Sequence, residues 1–173
     1  MTRLSQLVSD RCLLELFHGR GAHVDPIACV EDVSARVANW RGDAYPHSIA
    51  QIVSHVNYWM NYDLRRIDGE HPLYPAHAIE SWPHQGGVTQ NEWQNEIQQF
   101  VQLVDRCIAV ASSEKKNLQR QVPATHPSHE SNSSSVEAVL WQILAHNSYH
   151  IGQVALIRRC VGAWPPQRGS DTW

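Results

Sequence analysis

No apolar run in the 173-residue chain approaches the length of a membrane span, so an integral membrane protein is not expected. No basic run stands out either, and the net charge is −3 with histidine neutral. A broad cationic face for nucleic acid is therefore not expected. The opening Met1-Thr-Arg-Leu-Ser-Gln6 lacks the apolar core of a signal peptide, which makes the cytoplasm the expected location. The four cysteines (Cys12, Cys29, Cys107 and Cys160) are scattered and form no CxxC pair. They read as small buried hydrophobes rather than as disulfide partners or zinc ligands. No strand pattern and no internal repeat occurs.

What the chain has is helical periodicity. Its length suits one domain spanning 1–173, and its apolar share is ordinary for a protein with a buried core. Residues from about Arg3 to Phe17 place Leu4, Leu7, Val8, Cys12, Leu14 and Leu16 largely on one stripe. Thr2 or Ser5 is the candidate cap, and His18-Gly-Arg-Gly21 is the stop. Asp25-Pro26 suits a helix start, with a short helix running through Ile27, Val30 and Val33 towards Trp40. Ser48-Ile-Ala-Gln51 is a capping box that opens a second major helix ending near Asp68-Gly69. Residues 70–88 carry three prolines and no period. They read as a long connection that crosses the bundle or borders a site, pinned by Tyr74 and Trp82. Thr89-Gln-Asn-Glu92 opens a third helix with a stripe of Trp93, Ile97, Phe100, Val101, Val104 and Ile108. Residues 112–135 read as a polar loop in which His126 and His129 are solvated. Ser134-Ser-Val-Glu137 resembles a fourth capping box, and the last helix runs from about Val136 to Val161. The expected fold is all-α, a four-helix bundle with a long crossover connection.

Eleven histidines are unusual for this length. In the last helix His146 and His150 stand at i and i+4, so both imidazoles project from one face about one turn apart. Chance alone gives about one HxxxH pair in such a chain, so a third ligand has to come from elsewhere. His55 lies on the row Ile52, His55, Trp59, Tyr62 of the second major helix, at the inward edge of its apolar stripe. His55, His146 and His150 together suit a divalent ion, Zn²⁺ or Ni²⁺, with metal–nitrogen distances of about 2.0–2.1 Å. Three protein ligands leave coordination positions open, which marks a catalytic rather than a structural metal. The alternatives are a site that only stabilises the bundle, and three histidines that merely pack. Asn147, Tyr149 and Gln153 flank the pair, as Tyr58 and Trp59 flank His55. Asn147 is the most suggestive of these, being polar within an apolar stretch. No general base can be named: Asp63 lies two turns beyond His55, and Glu15 or Glu96 can face either way.

The block Ser48-Ile-Ala-Gln-Ile-Val-Ser-His55-Val-Asn-Tyr-Trp59, with Leu-Ala-His146-Asn-Ser-Tyr-His150-Ile-Gly-Gln-Val downstream, resembles the DinB-like (DinB/YfiT) superfamily. Gly21-Ala-His23-Val-Asp-Pro26 also fits its usual run, and the resemblance covers nearly the whole chain. It implies a bundle with a crossover connection and a metal held by one helix-two histidine and the HxxxH pair of the last helix. Those positions are His55, His146 and His150; His23 matches a recurrent position without a ligand role. Some relatives are thiol-dependent transferases or isomerases, and members are often dimers. The resemblance thus implies a metal-dependent transferase or hydrolase, with a small-molecule substrate, a low-molecular-weight thiol as co-substrate, and a homodimer.

Overall fold

Residues 12–21, 23–82, 86–124 and 133–168 are described in the computed structural model of the protein. The expected caps Thr2 and Ser5, the stripe residues Leu4, Leu7 and Val8, and the loop histidines His126 and His129 lie outside the described residues. The fold is all-α, a four-helix bundle with a long crossover. Helix α1 (12–17) contributes Leu13 and Phe17 to the core. Two one-turn helices follow, α2 (Ala28–Glu31) and α3 (Ala35–Ala38). Then come α4 (Ile49–Ile67), α5 (Gln90–Ala111), the single turn α6 (Lys115–Leu118) and α7 (Val136–Cys160). Among the described residues no helix is long and apolar enough to cross a membrane.

Two of the long helices begin where their side chains dictate. Ser48 Oγ accepts from the Gln51 backbone N–H while Gln51 Oε1 accepts from that of Ser48, and Thr89 and Glu92 repeat the arrangement at the head of α5. Each box satisfies donors that the first turn would otherwise leave orphaned. The start of α7 departs from expectation. Ser134 and Ser135 form a short strand, β2, paired antiparallel with β1 (Gln121–Val122). Ser135 is left to cap the helix by accepting from the Ala138 N–H. Strand pairing, absent from the sequence reading, displaces the cap by one residue.

The expected helix from Asp25 towards Trp40 is also two pieces. Asp25 Oδ1 accepts from the N–H groups of Ile27 and Ala28, so its capping role holds. The chain then breaks before Ser34, which caps α3. The buried indole Nε1–H of Trp93 donates to the Val33 carbonyl at 2.6 Å. That long-range bond uses the carbonyl a continuous helix would need.

Helix directions follow from the contacts. Asn57 reaches Glu96 and Asp68 reaches Arg106, so α4 and α5 run parallel. The connection between them must therefore return the length of α4, about 28 Å for its 19 residues. A 3₁₀ turn, Ala78–Ser81, lies midway, and the bidentate exchange between Asn39 and the backbone of Val88 anchors the far end. By contrast His55, early in α4, meets His146 and His150 in the middle of α7, whereas Ile67 at the end of α4 accepts from Arg120, whose carbonyl takes the N–H of Val136 at the head of α7, so α4 runs antiparallel to α7.

The cysteine expectation is half corrected. Cys29 and Cys107 are buried, whereas Cys12 and Cys160 are exposed, and all four are free thiols. The end of α7 is tied down by Arg158, which is 2% exposed. Its guanidinium donates to Asp32 at 2.7 Å and to the carbonyls of Cys29 and Ala163. Burial alone would raise the Asp32 carboxyl, but hydrogen bonds from Arg158 and the Gln167 N–H outweigh it and hold the group below its usual range. Removing Arg158 strands both a carboxylate and several carbonyls. Arg158→Ala is expected to cost about 3 kcal/mol and to lower the thermal midpoint by roughly 6–12 °C, as read by circular dichroism.

Candidate metal centre

His55 sits two turns into α4, and His146 and His150 lie near the middle of α7. Antiparallel packing of the two helices turns all three imidazoles into one space. His146 Nε2 lies 3.2 Å from His55 Nε2, and the ring centroids are 4.5 to 5.1 Å apart. One ligand nitrogen from each ring falls within 4.8 Å of the others. Tetrahedral ligands at about 2.1 Å from an ion stand roughly 3.4 Å from one another. The His55–His146 separation is close to that value.

Proton positions are fixed from outside. His55 Nδ1 donates to the Ser81 carbonyl at 3.0 Å, and His150 Nδ1 donates to Gln153 Oε1 at 3.1 Å. A neutral imidazole protonated on Nδ1 keeps its lone pair on Nε2. Both rings thus offer Nε2 inward, in the tautomer that a metal ion needs. With His55 Nε2 an acceptor, His146 Nε2 donates to it in the metal-free protein.

Orientation comes from the crossover. The Trp82 indole stacks on the His55 ring at 3.8 Å with 10° between planes, and its other face stacks on His47 at 3.8 Å and 13°. Trp59 meets His55 edge-on at 6.5 Å. The expectation that Tyr74 and Trp82 pin the connection holds, since Tyr74 packs against Trp59 and Tyr62. Sequence reasoning missed the Ser81 carbonyl, because a backbone acceptor leaves no trace in residue type. It also missed that Trp82 stacks on a site histidine, although the long connection pointed to that segment.

The remaining sequence candidates separate clearly. Gln153 serves His150. Asn147 is buried, with Nδ2 3.0 Å from Met60 Sδ and Oδ1 without a partner among the described residues. Tyr149 is exposed, though its ring lies edge-on to His150. His23 lies off the cluster: its Nε2 contacts Ser148 Oγ at 2.6 Å and its Nδ1 the Val24 carbonyl at 2.9 Å. Among the carboxylates weighed for a general base, none of which the sequence could assign, Glu96 accepts from Asn57 and Ser54 and does not join the histidines. Asp63 is buried further along α4 and paired with Arg66 at 2.7 Å. Among the described residues no carboxylate or thiol belongs to the cluster.

A cleft of about 770 Å³ opens along α4 and α7, with His146, Met60 and Asn147 in its wall. The site therefore communicates with a volume large enough for a small organic molecule.

Electrostatics favour neutral imidazoles. Desolvation lowers His55 to about 4, reinforced by His150 and His47, while the bond to Ser81 works the other way. His146 is likewise lowered to about 4 by burial and its two neighbours, and His150 is lowered mainly by burial. At neutral pH the three imidazoles are therefore uncharged, each with one nitrogen lone pair. The same shifts couple the metal-free site to folding. An unfolded imidazole takes up its proton near pH 6.5, whereas folded His55 and His146 resist down to about 4. The unfolded chain thus binds more protons in that window, and stability falls as pH drops from 6.5 to about 4. Chelator-treated protein is expected to show a declining thermal midpoint over this range. His146→Gln, which removes one such group, is expected to decline less steeply.

A family model described as the DinB superfamily matches residues 27–154, a span containing all three histidines and the crossover. No curated protein sequence matches the chain. Among solved structures, YfiT from Bacillus subtilis superposes with a TM-score of 0.62 at 16% identity, over 95% of this chain and 91% of that one. That protein is described as a probable metal-dependent hydrolase with an unusual four-helix bundle topology. At this identity the likeness establishes the fold, whose crossover the parallel α4–α5 pair explains. With the family match spanning most of its length, the chain belongs to the DinB superfamily.

Proposed function

We propose that the protein is a metal-dependent enzyme that hydrolyses a small-molecule substrate, with His55, His146 and His150 as ligands of one divalent ion, Zn²⁺ or Ni²⁺. The observation that carries this is the convergence of one ring nitrogen from each of three histidines within 4.8 Å, with the tautomers of His55 and His150 set by Ser81 and Gln153. The description of YfiT as a probable metal-dependent hydrolase supports the reaction class. The donor set fits such an ion: three neutral imidazoles suit Zn²⁺ or Ni²⁺ better than the harder Mg²⁺ or Ca²⁺, which prefer oxygen.

When bound, the ion would supply Lewis acidity that lowers the pKa of a water or thiol towards neutrality and polarises an acceptor oxygen. The protein's own residues do the rest. Ser81 and Gln153 hold the Nδ1 protons of His55 and His150, keeping both Nε2 lone pairs directed inward. Trp82 prevents the His55 ring from turning. Leu144, Ile151 and Val154 pack the flanks of the pair into the core, which keeps the helix from fraying there. His146, on the cleft wall, is the ligand past which a substrate approaches.

A thiol-dependent transferase is the second reading, favoured by a cleft roomy enough for a small thiol beside an electrophile. A purely structural metal is disfavoured by the same cleft, because structural sites are closed to solvent.

Purified protein is expected to hold about one Zn²⁺ or Ni²⁺ per chain by plasma mass spectrometry, and His146→Ala to lose it. Retention of stoichiometric metal by the triple histidine-to-alanine variant would contradict the ligand assignment. Turnover of ester and amide substrates by the loaded protein without added thiol is the outcome expected of a hydrolase. Turnover that appears only with a low-molecular-weight thiol replaces that reading with the second.

A further inference from the structure

The cleft beside the histidines has its own chemistry beyond His146. It follows α4, and from His55 to Arg66 that helix rises about 16 Å. Trp59, Tyr62 and Tyr74 form an aromatic wall along the way. At the end remote from the histidines lie Asp63 and Arg66, joined at 2.7 Å with side chains only 9% and 11% exposed. Arg66 also donates to the Pro123 carbonyl at 3.0 Å and lies 5.9 Å from the centre of the Tyr62 ring.

Among the described residues this pair leaves the remote end electroneutral. Burial raises the Asp63 carboxyl even though the Arg66 guanidinium opposes the shift, so desolvation dominates there. A second carboxylate brought alongside would face Asp63 in the same poorly solvated space, and Arg66, the one guanidinium in the cleft wall among the described residues, is already engaged. Two polar atoms nevertheless lack partners among the described residues. Arg66 Nε, a donor, and Asn147 Oδ1, an acceptor, are both buried beneath the cleft wall. Asn147 Nδ2 has only the Met60 thioether, a weak acceptor, so rotating the amide leaves the deficit in place. Unpartnered buried groups are costly, and a small side-chain rotation towards a bound group relieves that cost.

We propose that the cleft binds an elongated, uncharged amphipathic molecule whose apolar or aromatic body lies against Trp59, Tyr62 and Tyr74. Its neutral hydrogen-bonding head, an amide or hydroxyl, sits at the Asp63–Arg66 end. The opposite end of such a molecule lies at His146, where the reaction of the preceding section takes place. The orientation rests on that reading, but binding in the cleft does not.

The test is calorimetric titration with a matched pair of probes, 4-phenylbutanamide and 4-phenylbutanoate, on chelator-treated and metal-loaded protein. In chelator-treated protein the amide is expected to bind more tightly than the carboxylate by about fivefold or more. Asp63→Asn leaves the Arg66 charge uncompensated and is expected to reverse the preference. Equal or tighter binding of the carboxylate to the metal-free wild type overturns the proposal, as does binding of neither probe. An unchanged ratio in a folded Asp63→Asn variant overturns it too. A preference that persists although the protein takes up no metal sustains the cleft while removing the metal reading. The two failures are therefore distinguishable.

Discussion

His55 and His146 are 91 residues apart in the chain, yet their Nε2 atoms lie 3.2 Å from each other because α4 and α7 pack antiparallel. That one helix pairing positions everything else at the site. It sets His55 opposite the His146–His150 turn and Met60 opposite Asn147, and it leaves the cleft running between the helices beyond them. The pairing is held by apolar burial along both helices, where Ile52, Val53, Val56 and Leu64 join Leu140, Ile143, Leu144 and Ile151 in one core. Apolar packing is non-directional, so it brings the helices together without aiming any imidazole.

Aiming is the work of the crossover. Because α4 and α5 run parallel, the chain between them must travel back along the bundle, and its path passes over the histidines. Ser81 accepts the His55 Nδ1 proton and Trp82 covers the ring face. The topology and the site are thus coupled: a short hairpin between α4 and α5 would supply neither contact. Burial adds a second consequence, since the desolvation that lowers His55 and His146 to about 4 also keeps both imidazoles neutral at neutral pH, each with one nitrogen lone pair available.

Much of this was legible in the sequence where local chemistry decides the outcome. The Ser48–Gln51 and Thr89–Glu92 boxes begin helices as read, and the i,i+4 spacing of His146 and His150 is faithful to helical geometry. The inward placement of His55 followed from its row on the stripe. Where long-range partners decide, the sequence was silent. Ser134 and Ser135 pair with Val122 and Gln121, so the strand runs up to the helix and its last residue, Ser135, does the capping. The Val33 carbonyl is taken by Trp93, and one expected helix becomes two. The Asp63–Arg66 pair stands at i,i+3, a spacing that says nothing of burial; burial in a cleft wall is a property of the neighbouring helix. Cys12 and Cys160 show the opposite error, small apolar side chains that the packing leaves outside.

The central claim is that three imidazoles of α4 and α7 form one open coordination site. X-ray absorption at the K-edge of the Zn²⁺- or Ni²⁺-loaded protein addresses it directly. The expected spectrum shows three imidazole nitrogens at about 2.0–2.1 Å, with outer-ring scattering and one or more exchangeable light atoms completing the shell. A shell containing sulfur, or oxygen ligands without imidazole scattering, would contradict the account.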